Sequence, residues 1–305
     1  MINFHRIAPE DRAHYEQILL DCPPRGCEYA FCNLFFWGRQ EIAFLHGCVA
    51  FFAHYQGRSV YPYPIGNGDK KAVLEALLQD AAERGIPCRI GGMTREDRQE
   101  LEALMPGRFY CREDRDGADY VYTVEALADL KGKKLQRKRN HFNRFRATYP
   151  DYQVEPITLG NLEIAKRLVY DWYKHKQETT GGDFLLEQIA MDRAFGHFEE
   201  LELFGLLLSV DGTYIAMTMG SRMNGDTVDV HFEKAREDID GAYAIINSEF
   251  ARMIRETRPE IQYLDREDDM GLEGLRKAKL SYQPHHLIEK CQAYFVEDVD
   301  DPSLS

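Results

Sequence analysis

The chain has 305 residues, 44% of them apolar, which is enough for two domains that each bury a core. No segment approaches the roughly 20 unbroken apolar residues of a membrane span, residues 1–6 lack the apolar stretch of a secretory leader, and seven irregularly spaced cysteines suit reduced thiols, so a cytoplasmic location is expected. The net charge of −13 excludes a generally polyanion-binding surface, and no DNA partner is expected; yet residues 130–150 hold eight Lys/Arg and no acid, leaving 30 bases against 51 acids elsewhere.

Short apolar runs over 41–46, 48–55 and 59–65, separated by Gly47 and by Gln56-Gly57, predict three strands. A helix follows over 69–84, with Leu74, Leu77, Leu78 and Ala81 on one face. Then come a strand near 87–91, an acidic helix over 94–104 and a strand near 108–113. A strand near 120–124 and a basic helix over 131–147 lead to two helical stretches, 162–178 and 184–200, broken by Thr179-Thr180-Gly181-Gly182. The next strand, 201–210, ends at Asp211-Gly212, and 213–219 leads to Asn224-Gly225. Both dipeptides favour the positive φ of two-residue hairpin turns. A third strand over 227–233, a helix over 241–256, a strand over 261–265, a helix over 271–279 and a strand over 285–295 complete the chain. Each half therefore reads β-β-β-α-β-α-β. The expectation is an α+β fold of two similar units, 1–125 and 126–305, with an acidic tail over 296–305 that frays.

Three features can carry chemistry. Strict alternation along 227–233 places Asp229, His231 and Glu233 on one face and Val228, Val230 and Phe232 on the other. Three ionisable groups in a row suit either a cleft wall or an exposed hairpin face. The loop after them, from Lys234-Ala235-Arg236 to Asp240-Gly241-Ala242-Tyr243, runs into a helix start, where backbone N–H groups and the helix dipole favour an anion. Asp240 is also a good cap and can satisfy those groups itself. In the basic helix, Leu135, Phe142, Phe145 and Tyr149 form an apolar stripe, so Lys134, Arg137, Lys138 and Arg144 are expected to face outward. They suit a tRNA stem, an anionic lipid headgroup or plain solvation. In the acid cluster 265–269, Asp265 ends a strand and is the member best placed to orient an amine; the rest suit a helix cap. No metal site is expected: Cys22, Cys27 and Cys32 lack the close pairing typical of zinc.

The element order, with Phe232-Glu233-Lys234-Ala235, the run 240–247, the run 264–282 and the basic segment 130–140, resembles the GNAT acyltransferase superfamily. It is more closely similar to the doubled form found in Fem-type peptidyltransferases and in the C-terminal domain of phosphatidylglycerol lysyltransferases. The resemblance implies two tandem GNAT-like units. It implies a donor with phosphates held at Gly241-Ala242, with Lys234, Ala235, Arg236, Tyr243 and Lys277 beside it, and Asp229, His231, Glu233 and Asp265 at the reacting groups. The donor would be a coenzyme A thioester or an aminoacyl-tRNA, with no tightly bound cofactor. Two positions depart from the family pattern. Lys277 stands where many GNAT enzymes have an acidic Tyr, and Phe232 stands where the lysyltransferases have an Arg three residues after an Asp. The expected activity is acyl or aminoacyl transfer to an amine or hydroxyl. The alternative is a scaffold that binds a ligand or tRNA without catalysis.

Overall fold

The computed structural model describes residues 1–20, 22–23, 26–55, 58–182 and 184–298. The chain forms two compact units. One is Met1–Asp119 together with the chain from Ile288 onward, and the other is Tyr120–Leu287.

The first unit contains β1 (His5–Arg6), α1 (Arg12–Leu19), α2 (Phe31–Trp37), β2 (Gln40–Leu45), β3 (Cys48–Tyr55), β4 (Arg58–Pro62), α3 (Lys70–Arg84), β5 (Arg89–Met93), α4 (Arg95–Leu104) and most of β6 (Phe109–Thr123). The helix starts are local chemistry. The Asp69 carboxylate accepts from the Ala72 N–H at 3.0 Å. Thr94 and Asp97 form a reciprocal capping box at the head of α4. Val73, Leu74, Leu77 and Ala81 of α3 pack with Tyr61, Tyr63, Ile90 and Met93 in one core.

The second unit contains α5 (Val124–Asp129), α6 (Gln136–Thr148), β7 (Gln153–Pro156), α7 (Leu162–Thr180), α8 (Leu185–Gly196), β8 (Phe204–Val210), β9 (Thr213–Arg222), β10 (Thr227–Ala235), α9 (Ala242–Thr257), β11 (Tyr263–Asp265) and α10 (Glu273–Leu280). The final strand, β12 (His286–Phe295), lies almost wholly in the first unit. The second unit's strands run in the order β11-β10-β9-β8-β7, with the end of β6 antiparallel on β11. Its core joins Ile245, Ile246, Phe250 and Ile254 of α9 to Phe142 and Phe145 of α6, and to Leu206, Ile215, Val228 and Val230 of the sheet. Each such buried side chain contributes about 1.5–3 kcal/mol.

The expected boundary at 125/126 moves. It falls inside β6, between Asp119 and Tyr120, because β6 is one long strand rather than two short ones. The chain also closes back on the first unit: β12 pairs antiparallel with β5, Cys291 opposite Met93. The Asp211-Gly212 hairpin is as expected, with φ of 49° and 74°. The Asn224-Gly225 turn is not of the two-residue type. Asn224 Oδ1 accepts from the backbone N–H groups of Asp226 and Thr227 at 3.1 and 3.0 Å, an Asx-type arrangement that spans residues 223–226. The Gln56-Gly57 break and the tail beyond 298 lie outside the described residues. No helix among the described residues is long and apolar enough to cross a membrane.

Candidate active site

The site is set by an irregularity in β10. Asp229 sits opposite Ser221 of β9, but Phe232 sits opposite Met219, so three steps on β10 match two on β9. This bulge reverses the alternation. Val228 and Val230 point into the core beneath α9, and so does Glu233, whose Oε2 accepts from Asn247 Nδ2 of α9 at 3.2 Å. Asp229 and His231 point to the opposite face. There His231 Nε2 lies 2.8 Å from Ser221 Oγ. The expectation of Asp229, His231 and Glu233 on one face is therefore corrected; an extra residue divides them between two.

The second element is a splay. β10 pairs in parallel with β11 only from Thr227 to Asp229, the last rung joining Asp229 to Asp265. Beyond it Arg266 turns toward β10, and its Nη2 donates to Glu233 Oε1 at 2.9 Å. The pair is well enclosed, with side-chain exposures of 14% for Arg266 and 9% for Glu233. The Arg266 guanidinium lies 5.0 Å from the Tyr282 ring and 5.8 Å from the Tyr122 ring. Burial works against its charge, and Glu233 with the tyrosines more than offsets this.

On the other face, Asp265 is fully buried and its Oδ1 accepts from the Glu267 N–H at 2.8 Å. Glu267 adopts a φ of 57°. Lys279 Nζ fixes this turn by donating to the carbonyls of Arg266 and Glu267, at 2.5 and 3.1 Å, and to that of Asp268. Glu267 Oε1 thereby comes within 3.5 Å of His231 Nδ1.

The other expected site residues divide clearly. Lys234 points away from Glu233: its Nζ donates to Glu187 Oε1 at 2.6 Å and lies 4.3 Å from the Trp172 ring. Ala235 is buried, and its carbonyl accepts from Trp172 Nε1 at 3.1 Å. Arg236 is half exposed and forks onto Asp238 at 3.0 and 2.6 Å. At the start of α9, Gly241 has a φ of 90°, and a Cβ there would sit 2.8 Å from the His141 carbonyl and 3.0 Å from Phe145 Cβ. Helix α6 thus lies against this helix start, Ala242 is buried and Tyr243 joins the core. The Asp240 carboxylate accepts from His141 Nδ1 at 2.9 Å and from Arg144 Nη1 at 2.6 Å. Lys277 is exposed on α10, outside the splay, because the turn of the helix sends Lys279 inward in its place.

In the basic segment, Lys133, Lys134 and Arg137 are exposed, as Arg144 is. Lys138 is not turned outward as expected. Its Nζ sits 3.9 Å over the Tyr282 ring that Arg266 also faces. Burial, Arg266 and Arg137 push its amine down to about 8. Asn247 and Ser221 were not singled out from the sequence, and Arg266 and Glu267 were read only as part of the cap-like cluster 265–269. For Arg266 the available signal was its place directly after the strand that ends at Asp265.

Known proteins resemble this chain in sequence and in fold. A sequence model of the C-terminal region of phosphatidylglycerol lysyltransferase matches residues 21–294. A conserved protein of unknown function from Bacteroides thetaiotaomicron is 41% identical, over 97% of this chain and 100% of that one, with a TM-score of 0.90. L-PGS from Bacillus licheniformis is 15% identical over 95% of this chain and 93% of its own, TM-score 0.66. FemX is 12% identical over 96% and 97%, TM-score 0.59. The chain spans about half the length, 54%, of a curated but uncharacterized Mycoplasmoides gallisepticum protein, with 25% identity over 178 residues. The fold is the tandem GNAT-like α+β fold expected from the sequence, and the chain belongs to the family of phosphatidylglycerol lysyltransferase C-terminal domains.

Proposed function

We propose that this protein is an aminoacyltransferase of the GNAT-like type, taking its acyl group from an aminoacyl-tRNA and passing it to an amine or hydroxyl. The observation that carries this reading is the path of α6. The turn leading into α6 exposes Lys133 and Lys134 and the helix's first turn exposes Arg137, while Lys138, next on the helix, reaches the Tyr282 ring beside the Glu233–Arg266 pair. A polyanion lying on α6 would deliver its acylated end to the splay between β10 and β11. Coenzyme A is less well served, because α6 packs against the helix start where GNAT enzymes hold the pyrophosphate. An aminoacyl donor also brings an ammonium group. Asn247 Oδ1, buried and without a hydrogen-bond partner among the described residues, is an acceptor for it, as is Glu233.

The chemistry needs no covalent enzyme intermediate. The acceptor nitrogen or oxygen bonds to the ester carbonyl carbon, and the carbon–oxygen bond to the ribose breaks. Arg266 is placed to stabilise the developing oxyanion. Lys138, largely protonated at neutral pH but acidic for a lysine, gives its proton to the departing ribose oxygen. Glu233 orients Arg266 and takes the acceptor's proton.

Binding tests the donor assignment. Replacing Lys133, Lys134 and Arg137 together by Glu is expected to weaken tRNA binding at least about tenfold and to lower its log–log salt slope by about 2–3, one phosphate contact per base. Filter binding across a salt series measures both. Unchanged affinity and slope, or a thermal shift with coenzyme A instead of tRNA, overturns the assignment.

A further inference from the structure

We infer that Asp229, His231 and Glu267 form a site for one divalent transition-metal ion of the zinc type. His231 Nδ1 lies 3.4 Å from Asp229 Oδ2 and 3.5 Å from Glu267 Oε1, and the three ligand atoms all fall within 4.8 Å of one another. A tetrahedral ion with bonds of about 2.0–2.2 Å separates its ligand atoms by about 3.3–3.6 Å. Both distances to the imidazole are in that interval. An imidazole ligand also favours a transition metal over calcium or magnesium, which prefer oxygen alone.

A second observation concerns the other ring nitrogen. His231 Nε2 is 2.8 Å from Ser221 Oγ. With Nε2–H donating to that hydroxyl, the Nδ1 lone pair is aimed at two carboxylates, and a cation between them completes the arrangement. Metal-bound histidines characteristically donate their remote N–H in this way.

The backbone is arranged to the same end. Alternation along β10 keeps His231 on the face that carries Asp229, while the bulge sends Glu233 to the other. Glu267 is kept at its left-handed φ by Asp265 from one side and Lys279 from the other, the kind of imposed conformation that accompanies a functional site. Asp229 and His231 are buried, and Glu267 keeps 19% of its side chain exposed. Three protein ligands with one side toward solvent leave a fourth position for water or substrate. Spacing along the sequence gave no sign of this set, because Asp229 and His231 of β10 meet Glu267, in the turn after β11, only in the fold.

The inference goes beyond the transferase reading and does not depend on it. The test uses purified protein stripped with EDTA and titrated calorimetrically with Zn²⁺, and with Co²⁺ for its tetrahedral absorption bands. Wild type is expected to take up one ion per chain and to gain thermal stability from it. Glu267→Gln, at a partly exposed position that does not threaten the fold, is expected to lose most of the affinity; Ser221→Ala is expected to lose about tenfold. His231→Gln is expected to abolish binding. Should His231→Gln fail to fold, Glu267→Gln and Ser221→Ala decide alone. Absence of stoichiometric binding to stripped wild type overturns the inference, and so does binding that Glu267→Gln and Ser221→Ala leave unchanged. Neither result bears on tRNA binding by α6.

Discussion

Arg266→Met is expected to lower the free energy of unfolding by about 3–5 kcal/mol, the cost of breaking a buried ion pair by removing one partner. The guanidinium holds Glu233 at 2.9 Å, and both side chains are largely enclosed. Removing it leaves the Glu233 carboxylate near Tyr243 and Tyr282, with Asn247 as its remaining hydrogen-bond donor among the described residues. The double variant Arg266→Met, Glu233→Met should recover most of the loss, since an enclosed ion pair repays little more than its own desolvation. Urea unfolding of the wild type, both single variants and the double variant gives the full cycle. A cost below about 1 kcal/mol for the single change would mean that water reaches the pair freely, as for exposed pairs, and that Glu233 and Arg266 are not enclosed as described above.

A similar loss, again about 3–5 kcal/mol, is expected for Lys290→Met in the first unit. Lys290 Nζ lies 2.8 Å from Asp119 Oδ1 and 2.7 Å from Glu28 Oε2, and all three side chains are mostly or wholly buried. Asp119 is committed further, accepting from the Cys27 N–H at 2.9 Å. Burial already holds Glu28 above the ordinary carboxylate range; Lys290 opposes that shift and Asp119 adds to it. Without Lys290 the carboxyl must rise further. A carboxyl with a raised folded-state value binds more protons folded than unfolded, so stability falls as pH rises from the ordinary carboxylate range through the raised value. The variant should therefore be rescued in part at pH 5 relative to pH 8. Thermal unfolding across that range measures it, and a deficit independent of pH would contradict the assignment of the loss to Glu28.

Features that are local could be read from the chain itself. The helix over 69–84 was legible because its cap, Asp69, and its apolar face are local. The Asp211-Gly212 turn was legible because only its own backbone is involved. The strand carrying Asp229 and His231 was legible from its alternation, but the bulge was not. An inserted residue changes no residue type; it shows only when Phe232 is seen opposite Met219. Lys138 looked like one more exposed base because the apolar stripe of its helix was judged without Tyr282, which lies far along the chain. Arg266, Glu267 and Asn247 reach β10 from other elements. The return of β12 to the first unit is likewise a matter of pairing with β5, and nothing in the residues of β12 announces it.

The central claim is that the splay between β10 and β11 receives the aminoacyl end of a charged tRNA. Equilibrium binding of a tRNA carrying a non-hydrolysable amide-linked amino acid, compared with the same tRNA uncharged, tests it most directly. The account predicts at least about tenfold tighter binding of the charged form, about 1.4 kcal/mol. It further predicts loss of that preference in Arg266→Met, and no displacement by coenzyme A. Equal affinity for charged and uncharged tRNA, or displacement of either by coenzyme A, would contradict it.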